Sequence, residues 1–206
     1  MRIRIPFRPG FAVLGLAVFA GIGVLTSDAL AQQQTVEAGT LLHAEGWSVT
    51  VPKGSGTWLS ILPPSPQDHV ELLQYHSPWG TQLTAVAKVV VPPDNYEGPA
   101  AATAILDQWQ KEWDLNWSLP ETTAARPKLD MFRRSVGTAA GREVLRQEVR
   151  YKSFGMRCAV DLAVYCPPGH HAGDPCYWFE FSRVEPTKHD PGQKFLDEVI
   201  GSLTIE

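Results

Sequence analysis

Cys166, His170, His171, Asp174 and Cys176 fall within eleven residues of one another, separated by Pro and Gly. Two chemistries suit such a set. In an oxidising compartment the two cysteines close a disulfide that staples the tip of a turn, worth about 3 kcal/mol on a chain-entropy estimate. With the thiols reduced, imidazole and thiolate together suit zinc or copper. The spacing matches no standard zinc finger, adjacent histidines diverge, and a disulfide consumes both sulfurs. The Cys166–Cys176 disulfide is therefore the reading adopted, with His170, His171 and Asp174 as the ligands of the metal alternative. Cys158 is left over. It lies eight residues before Cys166 on the same extended segment, roughly 26 Å away, so those two do not bond. Its parity with Val160 and Leu162 makes it a buried apolar filler rather than a nucleophile.

A second cluster is electrostatic. Arg126, Lys128, Arg133, Arg134, Arg142, Arg146, Arg150 and Lys152 are opposed within their segment by only Asp130, Glu143 and Glu148. Strand alternation puts Arg146, Arg150 and Lys152 on one sheet face, with Arg133 or Arg134 nearby. Such a face is either solvated and balanced by Glu143 and Glu148, or a patch for an anionic partner: an envelope or extracellular protein, an anionic polymer or lipid headgroups. No nucleophile elbow, zinc-protease helix, Cys-x-x-Cys pair or calcium loop is present, and Lys53–Thr57 lacks the ending of a phosphate loop. No catalytic residue and no cofactor is assigned.

The elements that hold these residues are mostly strands, since 17 Pro and 17 Gly punctuate the chain. Strands are expected at 41–43, 47–51, 58–62, 70–76 and 82–91, then as hairpins at 129–136 with 142–151 and 156–165 with 177–184. One long helix carries Ala102, Ile105, Leu106, Trp109, Trp113 and Trp117 at 3–4 spacing and stops at Pro120. Its Trp ladder reads as the core face of a helix laid on a sheet, with Trp117 the candidate for exposure. A C-terminal helix is expected from an Asp190 cap with Pro191 in the first turn. Phe195, Leu196, Val199, Ile200 and Leu203 form its buried stripe.

The opening Gly-Trp-Ser-Val-Thr-Val-Pro strand, the central helix, the Gly141-Arg142-Glu143-Val144 strand, the Tyr177–Ser182 strand and the closing Phe195–Ser202 helix occur in a familiar order. In that order the chain resembles the PsbP-like α/β/α sandwich superfamily over most of residues 40–206. The resemblance implies an α+β fold: a mostly antiparallel sheet with a central amphipathic helix and a C-terminal helix packed on it. It implies an accessory or binding role and supplies no catalytic set.

Arg2, Arg4 and Arg8 precede an apolar or Gly run from Phe11 to Leu25 and the tripeptide Ala29-Leu30-Ala31. This reads as a secretory signal over 1–31, too short to span a membrane. A polar leader (32–39) and a single domain (40–206) follow, with no transmembrane helix in the mature chain and a periplasmic or secreted location. Removing three Arg and Asp28 makes the formal net charge of −4 more negative by two, which argues against nucleic acid as partner. The expected role is an exported, non-enzymatic accessory or binding domain. The alternative is a metal-binding protein or metal-dependent enzyme using the Cys166–Cys176 loop.

Overall fold

Side-chain alternation along two long hairpins organises the molecule, as a computed structural model describes it for residues 32–53, 56–62, 69–74, 82–93, 95–118, 128–153, 155–186 and 190–206. These residues all fall in the unit Ala31–Glu206; the signal-like segment 1–31 lies outside them. The strands before the long helix are β1 (Gln32–Val36), β2 (Leu41–Ala44), β3 (Trp47–Thr50), β4 (Trp58–Leu62), β5 (His69–Gln74) and β6 (Gln82–Val90). Helix α1 (Gly98–Ser118) precedes β7 (Lys128–Ala139), β8 (Arg142–Ser153), β9 (Met156–Tyr165) and β10 (Cys176–Val184). Helix α2 (Gln193–Ser202) and β11 (Thr204–Ile205) close the chain.

Eight strands form one antiparallel sheet in the order β1-β4-β5-β6-β10-β9-β8-β7, and β11-β3-β2 form a second, smaller one. The fold is α+β and mostly antiparallel, with α1 on one face of the large sheet and α2 with the small sheet on the other. Beneath α1, Ala102, Ile105, Leu106, Trp109 and Trp113 bury against Val149, Val160, Leu162, Val164 and Trp178. On the opposite face Phe195, Leu196, Val199, Ile200 and Leu203 bury against Trp58, Phe179 and Phe181. Both helical stripes are thus core, as amphipathic periodicity requires. Trp109 and Trp113 stack at 5.3 Å and Trp109 meets Trp178 at 6.3 Å, filling the space under α1; the Trp117 side chain lies outside the described residues.

Three local differences from the sequence reading have physical causes. Gln32–Val36, read as a leader, forms β1 and pairs with β4 from Gln32↔Leu62 to Val36↔Trp58, satisfying backbone groups that β4 would otherwise present at a free edge. Strand β7 runs three residues past its expected end at Val136, to Ala139, while β8 starts at Arg142 as expected, because Ala140 (φ 49°) and Gly141 (φ 83°) make a two-residue turn of the left-handed kind that matches strand twist. Helix α2 begins two residues later than a cap at Asp190 would place it. Gly192 (φ 53°) occupies the N-cap, with no side-chain capping bond. Asp190 instead accepts the Gly192 N–H at 2.9 Å and turns its other oxygen to Arg183.

Candidate functional site

The β9–β10 hairpin places the cysteine-histidine cluster. Tyr165 pairs with Tyr177 and Val164 with Trp178, so the next position brings Cys166 opposite Cys176, with Cα atoms 4.4 Å apart and the disulfide formed. The sequence implies that this bridge needs a bulge, because Val160, Leu162 and Val164 look core-facing on one strand and Tyr177, Phe179 and Phe181 on the other. The sheet is covered on both faces, which removes the conflict. Val164 and Cys176 share the α1 face, while Tyr165, Tyr177 and Phe179 share the α2 face.

The connecting turn separates the two histidines. The His170 N–H donates to Pro167 O (3.1 Å), and its ring is only 6% exposed. His171 is exposed; its backbone N–H donates to the Asp174 carboxylate at 2.9 Å, so that carboxylate serves as a turn anchor. One donor atom each from Cys166, His170 and Cys176 lies within 4.8 Å of the others. Cys158 is the free cysteine among the described residues and is buried opposite Tyr151. Burial pushes its thiol up from 9.0, with the Tyr151 hydrogen bond opposing. We expect native Cys158 to resist iodoacetamide at pH 8 and to alkylate at once in denaturant, read by intact mass; rapid native alkylation would place the thiol in solvent. Because the unfolded chain ionises first, the stability from this buried thiol is complete below pH 9.0 and declines as pH rises through the higher folded value.

The arginines of the basic segment divide between the two faces. Arg134 turns to the α1 face, where it pairs with Asp107 at 2.5 Å and donates to Oε1 of the fully buried Gln147. Arg133 faces the other way and forms a fork to both Glu148 oxygens at 2.8 and 2.9 Å. On β8, Arg142, Arg146 and Arg150 point towards α2. Arg142 donates to the Ile200 carbonyl, which also accepts the Leu203 N–H, and to the Leu203 carbonyl, tying the α2 C-terminus to β8. Arg146 bonds Gln193 (2.6 Å) and pairs with Asp197 (2.5 Å), lying over Gly137, where a Cβ would come within 2.7 Å of its Nε. Arg150 reaches the fully buried Asp161 at 3.0 Å. Charge reversal at Arg146 would therefore remove an α2 anchor, and at Arg150 a partner of Asp161, along with any surface charge.

Sequence reasoning missed the centre of this network. Asp161 and Arg183 are both fully buried with 2.5 Å between Oδ2 and Nη1, and Arg183 Nε lies 2.8 Å from Asp190. These are ion pairs by distance rather than aligned hydrogen bonds, since Asp161 Oδ2 and Arg183 Nε and Nη2 have no hydrogen-bond partner among the described residues. The guanidinium also lies 4.6 Å over the Phe181 ring. The available signal was an acid standing inside the apolar run from Cys158 to Tyr165; an ionised carboxylate there requires a buried partner.

Lys152 differs from Arg133, Arg134, Arg142, Arg146 and Arg150. It is exposed and stands directly opposite Lys128 on β7 and Arg157 on β9, a row of three cations across adjacent strands. Arg157 pairs with Glu185 at 3.4 Å; neither lysine has a carboxylate partner among the described residues. Elsewhere, an apolar cleft between β2, β3 and α2, lined by Leu42, Val49, Val70, Phe179, Phe195 and Val199, admits about one water.

The chain is similar to cyanobacterial PsbP. The solution structure of that protein from Synechocystis has 12% identity and a TM-score of 0.46, over 90% of this chain and 99% of the other. A Bacteroides thetaiotaomicron protein is similar at 12% identity and TM-score 0.43; 82% of this chain is covered but only 48% of that one, so this chain spans about half its length. LpqN, involved in cell envelope biogenesis of Mycobacterium tuberculosis, is similar at 14% identity and TM-score 0.31, over 84% and 90% of the two chains. No family model and no curated protein matches the chain. Among the described residues no helix is long and apolar enough to cross a membrane.

Proposed function

We propose that this chain is an exported, non-enzymatic accessory domain that binds an anionic polymer or acidic protein of the envelope or extracellular space. The carrying observation is the Lys128–Lys152–Arg157 row. Like charges directly opposite across strands destabilise a sheet, and among the described residues Arg157 alone of the three is paired with an acid, Glu185, that offsets that cost. A polyanion laid across the ends of β7, β8 and β9 would neutralise the row. The signal-like N-terminus and the Cys166–Cys176 disulfide support export to an oxidising compartment. Of the five basic residues singled out from sequence, Lys152 is the one this reading retains as a binding residue, joined by Lys128. Arg133, Arg134, Arg146 and Arg150 serve chiefly to hold the fold.

Immobilised heparin is a suitable polyanionic probe. Lys128→Glu with Lys152→Glu should elute at clearly lower salt than the parent, with an unchanged circular dichroism spectrum, because each lost contact reduces the salt-dependent part of binding. Identical elution of parent and variant would remove the row as a binding surface.

A further inference from the structure

We propose that reduction of the Cys166–Cys176 disulfide turns the tip of the β9–β10 hairpin into a zinc site whose protein ligands are Cys166, His170 and Cys176. The two sulfurs and a ring nitrogen of His170 already lie within 4.8 Å of one another. The histidine is set up for the purpose. Its Nε2 sits 3.0 Å from the carbonyl oxygen of Asp174; a carbonyl only accepts, so Nε2 carries the proton and the neutral ring keeps its lone pair on Nδ1. Nδ1 is buried and has no hydrogen-bond partner among the described residues. A buried acceptor left unmet destabilises the fold until a partner arrives. A ring that donates one N–H to a backbone carbonyl and offers the other nitrogen is the arrangement metal-bound histidines adopt.

The turn around the site is fixed by backbone bonds, His170 N–H to Pro167 O at 3.1 Å and Asp174 N–H to His171 O at 3.0 Å. It also decides which of the sequence's ligand candidates take part. His171 is exposed, and the Asp174 carboxylate is occupied by the His171 N–H. Two thiolates and one imidazole suit zinc, and a solvent molecule takes the fourth position of its tetrahedron.

The chemistry balances in two steps. A dithiol reductant delivers two electrons and two protons to the disulfide and itself becomes a disulfide; Cys166 and Cys176 become thiols. Zinc then displaces both thiol protons to solvent, forming two Zn–S bonds, while Nδ1 donates its lone pair with no proton change. The oxidised hairpin offers one imidazole and holds no zinc. The reduced hairpin offers three ligands, and the bound ion shields both sulfurs from reoxidation.

The test uses the full folded chain, reduced with a phosphine that does not bind zinc and then titrated with zinc alone against a chromophoric chelator. Reduced protein should take up one equivalent and oxidised protein none, and cobalt(II) in place of zinc should give thiolate-to-metal charge-transfer bands. His170→Ala and His170→Gln, which leave the disulfide intact for a fold check in the oxidised state, should each weaken zinc binding by about ten-fold or more. His171→Ala and Cys158→Ser should not. No stoichiometric uptake by the reduced chain, or uptake indifferent to both His170 substitutions, overturns the proposal. Neither outcome bears on polyanion binding by Lys128 and Lys152.

Discussion

Asp161→Ala should lower the unfolding free energy by about 3–5 kcal/mol, the usual cost of removing one partner from a buried ion pair. Both Asp161 and Arg183 are fully buried. Without the carboxylate, Arg183 keeps Asp190 as its one ion-pair partner among the described residues, with the Phe181 carbonyl at 3.2 Å, and Arg150 loses its 3.0 Å partner. For a chain of this size the midpoint should fall by about 2–4 °C per kcal/mol. Urea denaturation followed by tryptophan fluorescence reads the change, with an unaltered slope showing that the native state is still compact. Asp161→Asn should cost nearly as much, because the charge rather than the shape is what balances Arg183. Replacing the pair together, Asp161→Leu with Arg183→Met, should recover most of the loss, since Arg150 and Asp190 are near enough to solvent to be hydrated. A loss below about 1 kcal/mol for Asp161→Ala would mean that the network contributes little to holding α2 on the sheet.

Opening the hairpin clasp is the second large effect. Cys166→Ser with Cys176→Ser should cost about 3 kcal/mol by releasing the ten-residue separation in the unfolded chain. The loss should appear equally when the parent protein is reduced without zinc. Peptide mapping of the oxidised parent should link Cys166 to Cys176 and leave Cys158 as a free thiol; a peptide joining Cys158 to either would contradict the strand register that sets it against Tyr151. An equal midpoint for oxidised and reduced protein would show that the tip frays independently of global unfolding.

Local pattern alone was enough for much of the architecture. The 3–4 spacing from Ala102 to Trp113 and from Phe195 to Leu203 identified both helices and their buried stripes, because an amphipathic helix has one face to hide. The turn chemistry around Cys166 and Cys176 placed the disulfide at a hairpin tip, and Cys158 was legible as a filler from its apolar neighbours. The N-terminal charge and apolar run lies outside the described residues and supports export only as a proposal.

Tertiary structure decided what the charged residues do. Alternation says that Arg146, Arg150 and Lys152 share a face, but not what lies over it. The approach of α2 brings Asp197, Gln193 and two helix-end carbonyls onto β8, turning arginines that look like a binding patch into internal anchors. Asp161, Arg183 and Asp190 meet from three separate segments, and no spacing rule joins residues whose proximity is created by strand pairing. The same pairing made the clasp parity look strained, since a sequence shows which residues are apolar but not that both faces of a sheet are covered. His170 and His171 are adjacent and chemically identical in the sequence. Only the turn, which buries one ring and leaves the other in solvent, distinguishes them.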